Sequence, residues 1–225
     1  MPSSETSIMY SRKAFIMGVS PKDKYFSLSH SFSLRSYRSS TTGMNKTRRL
    51  FVGLPLSREL KKRLLREMDA FPAEASLLTR EENLHVTVFF LGFVHEGEVA
   101  DVCARVGAVC ENLEAFELEF SGLELIDSDE NPKKIELKGE ASEGLKILRE
   151  EIEKEFASFV TEKKLYRPHI TLAKLKKQRW LALPEKPVLK ATMHLMEPID
   201  TVCVYESLTL DGKRRYEPID TFSLN

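Results

Sequence analysis

The 225-residue chain is long enough for one sizeable core or two small lobes. Its 42% hydrophobic and 30% charged content matches an ordinary globular protein, and no apolar run approaches the ~18 residues of a membrane helix. The formal charge is zero but uneven. Residues 1–43 hold six Lys/Arg against two Asp/Glu, which leaves 28 basic and 32 acidic residues, a net of −4, for the rest. Such a body argues against broad gripping of long nucleic acid, which needs many cations along the phosphates, but leaves room for a basic cleft around one phosphate. Cys103, Cys110 and Cys203 are odd in number and lack metal-ligand spacing, so reduced, buried thiols in a cytoplasmic protein are expected.

Residues 1–43 are Ser-rich with no strand or helix period, and composition predicts a disordered N-terminal extension. Two readings of it stay open: a Ser/Arg-rich transit peptide, or upstream sequence preceding a true start at Met44. Residues 44–225 read as a single bilobal domain. Arg48–Leu54 predicts a strand, and Ser57 caps a helix over 58–70 with Leu60, Leu64, Leu65 and Met68 on one face. Leu84–Leu91 is a strand, Glu96–Leu113 a helix, and Phe116–Leu125 and Lys134–Leu137 are strands. Ser142–Phe159 is a helix, and a strand through Ile170–Ala173 opens near Tyr166. Pro187–Met196, Thr201–Leu208 and Arg214–Phe222 are further strands. Strand–helix–strand order, twice over, predicts an α+β fold of two similar lobes facing each other.

Each half carries one His-x-Thr strand: Leu84-His85-Val86-Thr87-Val88 and Pro168-His169-Ile170-Thr171-Leu172. Strand side chains alternate between faces, so His85 and Thr87 project together, as do His169 and Thr171, while Val86 and Ile170 point into the core. Two imidazoles and two hydroxyls around one point suit a phosphodiester. One imidazole takes a proton from the attacking water, the other gives one to the leaving alkoxide, and the hydroxyls hold the non-bridging oxygens. The scheme needs no metal or cofactor. The competing readings are two half-buried structural histidines and a zinc site, for which no third ligand sits at a useful spacing.

These residues resemble the 2H phosphoesterases, and within them the bacterial and archaeal RNA 2′,3′-cyclic phosphodiesterases, historically called 2′-5′ RNA ligases. The resemblance covers about residues 48–225. It rests on Arg48, Leu50, Phe51 and Val52, on Leu84-His85-Val86-Thr87 with Phe90-Leu91-Gly92, and on Tyr166-Arg167-Pro168-His169-Ile170-Thr171-Leu172-Ala173. Tyr205-Glu206-Ser207-Leu208, Gly212 and Tyr216 match the closing strands. It implies a bilobal fold of two pseudo-symmetric lobes of antiparallel sheet plus helices around a central cleft. It also implies hydrolysis of a terminal 2′,3′-cyclic phosphate of RNA to a 2′-phosphomonoester, with His85 as proton donor and His169 as proton acceptor. Thr87 and Thr171 match the phosphate-binding threonines. Lys174 stands where the family commonly has Arg, keeping the charge but losing the bidentate fork.

Three further substrate contacts are candidates: Lys174, Arg167 if the strand runs unbroken through Pro168, and Phe89, whose parity with His85 and Thr87 would let it stack on a base. Core packing is the competing role for Phe89, and Tyr205 and Trp180 are weaker stacking candidates. Lys176, Lys177 and Arg179 could receive an RNA backbone or form a solvated loop. The expected partner is an RNA 3′ end, bound by a monomer with no membrane contact. A small cyclic nucleotide, a 2′-5′ linked oligonucleotide and a catalytically idle RNA-end-binding module remain as alternatives.

Overall fold

The computed structural model describes residues 46–159 and 166–225; the expectations for residues 1–43 lie outside them. The first strand, β1 (Thr47–Pro55), leads to Ser57, whose hydroxyl accepts a hydrogen bond from the Leu60 amide and starts α1 (Arg58–Met68). Helix α1 buries Leu60, Leu64 and Met68, one per turn. A short β2 (Ser76–Leu78) precedes β3 (His85–His95), which carries the first motif. Then come α2 (Val99–Cys110), β4 (Phe116–Ile126), β5 (Lys134–Gly139) and α3 (Glu143–Glu155), capped by Ser142. The second motif opens β6 (His169–Leu175), followed by α4 (Lys177–Leu181), β7 (Leu195–Ile199), β8 (Thr201–Leu210) and β9 (Lys213–Ser223). Strands β8 and β9 join through Asp211-Gly212, both at positive φ (50° and 71°), the conformation a two-residue hairpin turn needs.

The strands form two antiparallel sheets, ordered β3-β1-β8-β9 and β2-β6-β5-β4-β7. The fold is therefore α+β with two sheets, one motif strand in each. The sheets are not consecutive halves of the chain: the C-terminal β8 and β9 return to complete the first sheet beside β1. Helix α2 packs on β8 and β9, and α3 on β3 and β4. One apolar core, including Leu50, Val86, Leu148, Ile152, Ile170 and Leu172, runs under both sheets. No helix among the described residues is long and apolar enough to cross a membrane.

Several expectations need correction. Of the predicted 187–196 strand only Leu195 and Met196 fall in β7; before them the chain meets β4 through isolated backbone bonds, the Leu123 amide to the Lys190 carbonyl and the Met193 amide to the Ser121 carbonyl. Residues 177–181 form α4 rather than an open loop, with Trp180 buried against the core. The strand expected near Tyr166 begins at His169, since Pro168 cannot donate to a ladder.

One polar contact ties the two sheets together. Glu197 of β7 is 1% exposed and accepts from both the backbone amide and the hydroxyl of Ser57 (2.9 Å for the hydroxyl). Burial raises its pKa while the Ser57 bonds oppose the rise. Ser57→Ala removes a helix cap and a partner of a buried carboxylate together, and should destabilise the fold by about 2–3 kcal/mol. A urea midpoint within error of wild type would show that the contact is dispensable.

Candidate active site

The sheets face each other across a cleft of about 460 Å³. One wall is built by β1, β3, β8 and β9, the other by β5 and β6. His85, Thr87, His169, Thr171 and Lys174 all line it, so the structure brings together the two motifs that lie 84 positions apart in the sequence.

Both imidazoles are held the same way. His85 Nδ1 lies 2.8 Å from the Asn83 carbonyl, and His169 Nδ1 lies 2.9 Å from the Arg167 carbonyl, two residues upstream in each case. A carbonyl only accepts, so each Nδ1 donates, and Nε2 is the ring nitrogen left able to accept or release a proton. The Asn83 side chain accepts from the Tyr216 amide and donates to the Arg214 carbonyl, which fixes the first pin to β9.

The surroundings of the two rings differ. His85 is boxed by Phe51, Tyr216 and Tyr205, with ring centroids 5.0, 4.9 and 5.8 Å away, and its Nε2 lies 2.9 Å from the Thr87 hydroxyl. This burial, with a smaller push from His169 and against the pull of the Asn83 carbonyl, lowers the His85 pKa to about 4. His169 is more open, and its Nε2 lies 3.3 Å from Glu136 Oε1. That oxygen also accepts from the Thr171 hydroxyl at 3.0 Å and pairs with Lys134 Nζ at 2.5 Å.

Glu136 was not singled out from the sequence, although the signal existed. Lys134, Glu136 and Lys138 alternate with Ile135 and Leu137 along β5, so one face of that strand is charged. Register then places Glu136 opposite Thr171 on β6. Lys134, Arg49 and Arg214 also line the cleft and were likewise missed.

The Phe89 candidate is corrected by a register shift. Between Val52 and Gly53 of β1, β3 advances two residues, from Phe89 to Thr87. Val88 is thus a one-residue bulge, which reverses the parity beyond Thr87. Phe89 turns into the core (7% exposed) against Phe156, and Phe90 takes its place in the cleft. β6 bulges at the equivalent residue, Leu172, between Glu136↔Thr171 and Ile135↔Ala173. That shift brings Lys174, five residues after His169, into the cleft, as Phe90 is five after His85.

Arg167 is also corrected. Its guanidinium turns to Glu124 at 3.0 Å, outside the cleft lining, and its carbonyl rather than its side chain serves His169. Lys176 and Arg179 donate to the backbone around Glu74, and Lys177 to Asn131, so none reaches the cleft. Tyr205 is buried against Phe51 and Trp180 in the core. His95 and His194 are exposed away from the site. Cys103, Cys110 and Cys203 are free and buried, which pushes their thiols up to about 11, 12 and 11. Among the described residues, no three His, Cys, Asp or Glu side chains gather to hold a metal ion.

Two measurements check this geometry. By NMR, the His85 ring of the free protein should titrate near pH 4; a midpoint near the ordinary ~6.5 would show that the aromatic box does not close around it. Glu136→Gln removes a negative charge beside His169 and Thr171, weakens the acceptor that holds the Thr171 hydroxyl, and leaves Lys134 uncompensated. It should tighten binding of inorganic phosphate at least about threefold by calorimetry. Unchanged or weaker binding would mean that the carboxylate is not felt in the cleft.

The family model described as the 2′-5′ RNA ligase superfamily matches residues 57–207. A protein of Aeropyrum pernix named RNA 2′,3′-cyclic phosphodiesterase is 31% identical over 119 residues, 51% of this chain and 66% of that protein. One of the same name from Geobacillus stearothermophilus is 26% identical over 187 residues, 77% of this chain and 56% of its own. The chain thus spans between about half and two thirds of the length of these relatives. A solved protein of Thermus thermophilus superposes with a TM-score of 0.68 at 25% identity, covering 78% of this chain and 97% of that one. Escherichia coli LigT complexed with 3′-AMP shares the fold with a TM-score of 0.62 at 21% identity, covering 80% and 99%. With two antiparallel sheets, one His-x-Thr strand in each, and a family match over residues 57–207, this chain belongs to the 2′-5′ RNA ligase superfamily.

Proposed function

We propose that the protein hydrolyses the terminal 2′,3′-cyclic phosphodiester of an RNA end to a 2′-phosphomonoester. The observation that carries this is the matched pinning of two imidazoles by carbonyls two residues upstream, with both Nε2 atoms left for one cleft. The relatives named RNA 2′,3′-cyclic phosphodiesterase support the substrate.

In the proposed reaction, His169 Nε2 takes a proton from a water whose oxygen bonds to phosphorus, and the bond from phosphorus to O3′ breaks. His85 Nε2 gives its proton to O3′, which leaves a 2′-phosphate. Thr87 and Thr171 bind the non-bridging oxygens, and Lys134 and Lys174 offset their charge. No step calls on a metal. The free His85, with its pKa near 4, is neutral at pH 7, so as donor it must gain its proton when the anionic phosphate enters the cleft. That low value is also the specific observation favouring the reverse roles, with neutral His85 as the base.

RNA ending in a 2′,3′-cyclic phosphate, incubated with the protein and EDTA, should yield the 2′-phosphate. No turnover would overturn the activity, and turnover abolished by EDTA would overturn the metal-free scheme. His85→Ala and His169→Ala should each reduce the rate by at least about a hundredfold. A terminal cyclic phosphate with sulfur in place of O3′ separates the roles, because a thiolate leaves without a proton. That substrate should rescue His85→Ala and not His169→Ala; the opposite pattern would exchange donor and acceptor.

A further inference from the structure

We propose that Phe93 and Arg49 form a subsite for the nucleotide preceding the cyclic phosphate, so that the protein selects a single-stranded RNA end over a cyclic mononucleotide. The subsite rests on the cyclic phosphodiesterase reading above.

The cleft wall continues past the site along β1 and β3. Phe51 is opposite Phe90 and Arg49 opposite Phe93 in the antiparallel register. Directly opposed residues project on the same face, with Cβ atoms about 5 Å apart. Phe51 and Arg49, two apart on β1, share the face on which Phe51 meets His85. The face therefore runs from His85 and Thr87 through Phe90 and Phe51 to Phe93 and Arg49.

A second bulge in β3 sets this alignment. It lies between Phe51↔Phe90 and Leu50↔Gly92, with Gly92 at φ +75°. Without the extra residue, Phe93 would point into the core. With it, Phe93 is 73% exposed. A lone exposed aromatic would be unremarkable. This ring lies one step outside the cleft lining, in line with the exposed Phe90 (63%) and beside a cation.

Arg49 has no carboxylate partner among the described residues, whereas nearby Lys46 and Arg48 are neutralised by Glu96 and Glu206. The two-residue step from Phe51 to Arg49 is about 7 Å along the strand. A ring for each successive base, with a guanidinium for the phosphate between them, is how single-stranded nucleic acid is commonly held. The terminal base would lie at Phe90 and the preceding base at Phe93, with the intervening phosphodiester at Arg49.

The test compares steady-state kinetics on a nucleoside 2′,3′-cyclic phosphate and on a trinucleotide ending in the same group. Wild type should show a KM at least about tenfold lower for the trinucleotide. In Phe93→Ala that ratio should fall toward one through the trinucleotide KM, and Phe93→Trp should retain it. Equal wild-type KM values, or an unchanged ratio in Phe93→Ala, would overturn the subsite while leaving the phosphodiesterase reading standing. Turnover of neither substrate by wild type would overturn that reading and the subsite with it.

Discussion

The site depends on a shared irregularity in its two motif strands. An uninterrupted strand would place every second residue after the histidine in the cleft: His, Thr, then Phe89 on one side and Ala173 on the other. On β6 that register would put Ala173 in the cleft in place of the cation Lys174. Bulges at Val88 and Leu172 shift the parity once, after the threonine, so each strand buries two consecutive apolar residues and then presents the fifth residue after its histidine. A bulge leaves backbone groups without ladder partners, and such groups need others. The Val88 carbonyl accepts from Arg149 (2.7 Å), the neighbouring Thr87 carbonyl from Tyr166 (2.8 Å), and the Leu172 carbonyl from the Thr79 amide (2.8 Å). Arg149 also lies over the Tyr166 ring, 4.1 Å from its centroid. The residues just before the second motif thus help hold the shape of the first.

How much was legible follows from which features are local. The elements carrying strong apolar periods, such as the Leu60–Leu64–Met68 stripe and the Leu145–Leu148–Ile152 stripe, are where their sequences place them. His85, Thr87, His169 and Thr171 share a cleft because two-residue alternation holds within each short motif. The prediction failed where alternation was extended beyond them, at Phe89, because nothing in Val88-Phe89-Phe90 marks the bulge. Its partners, Arg149 and Tyr166, lie 61 and 79 residues away from the carbonyls they serve. Arg167 failed for a related reason: Pro168 interrupts the strand, and Glu124 captures the side chain.

Sheet order was the other non-local feature. A reading of two consecutive halves gives the second lobe β8 and β9, yet they pair with β1. The apolar run on β8, Val202 to Val204, is equally compatible with either sheet by pattern alone. What this return brings to the site is substantial. Tyr205 and Tyr216 complete the aromatic box around His85, and the backbone of β9 holds Asn83, whose carbonyl pins that ring.

The two otherwise matched histidines therefore differ in what surrounds them rather than in how they are pinned. On the first sheet, desolvation by three aromatic rings dominates and the imidazole is held neutral in the free protein. On the second, a buried carboxylate lies within reach of Nε2, the Thr171 hydroxyl and Lys134 at once. In the proposed reaction, an entering phosphodiester would bring negative charge between these two environments. It would favour protonation of the ring that burial has kept neutral, and would compete with Glu136 for the Thr171 hydroxyl and for Lys134. Substrate binding and proton placement would then be coupled through charge and hydrogen bonding. The motifs are symmetric in how they hold their imidazoles and asymmetric in their walls, so in the proposed reaction His85 would need the substrate's charge to serve as the acid.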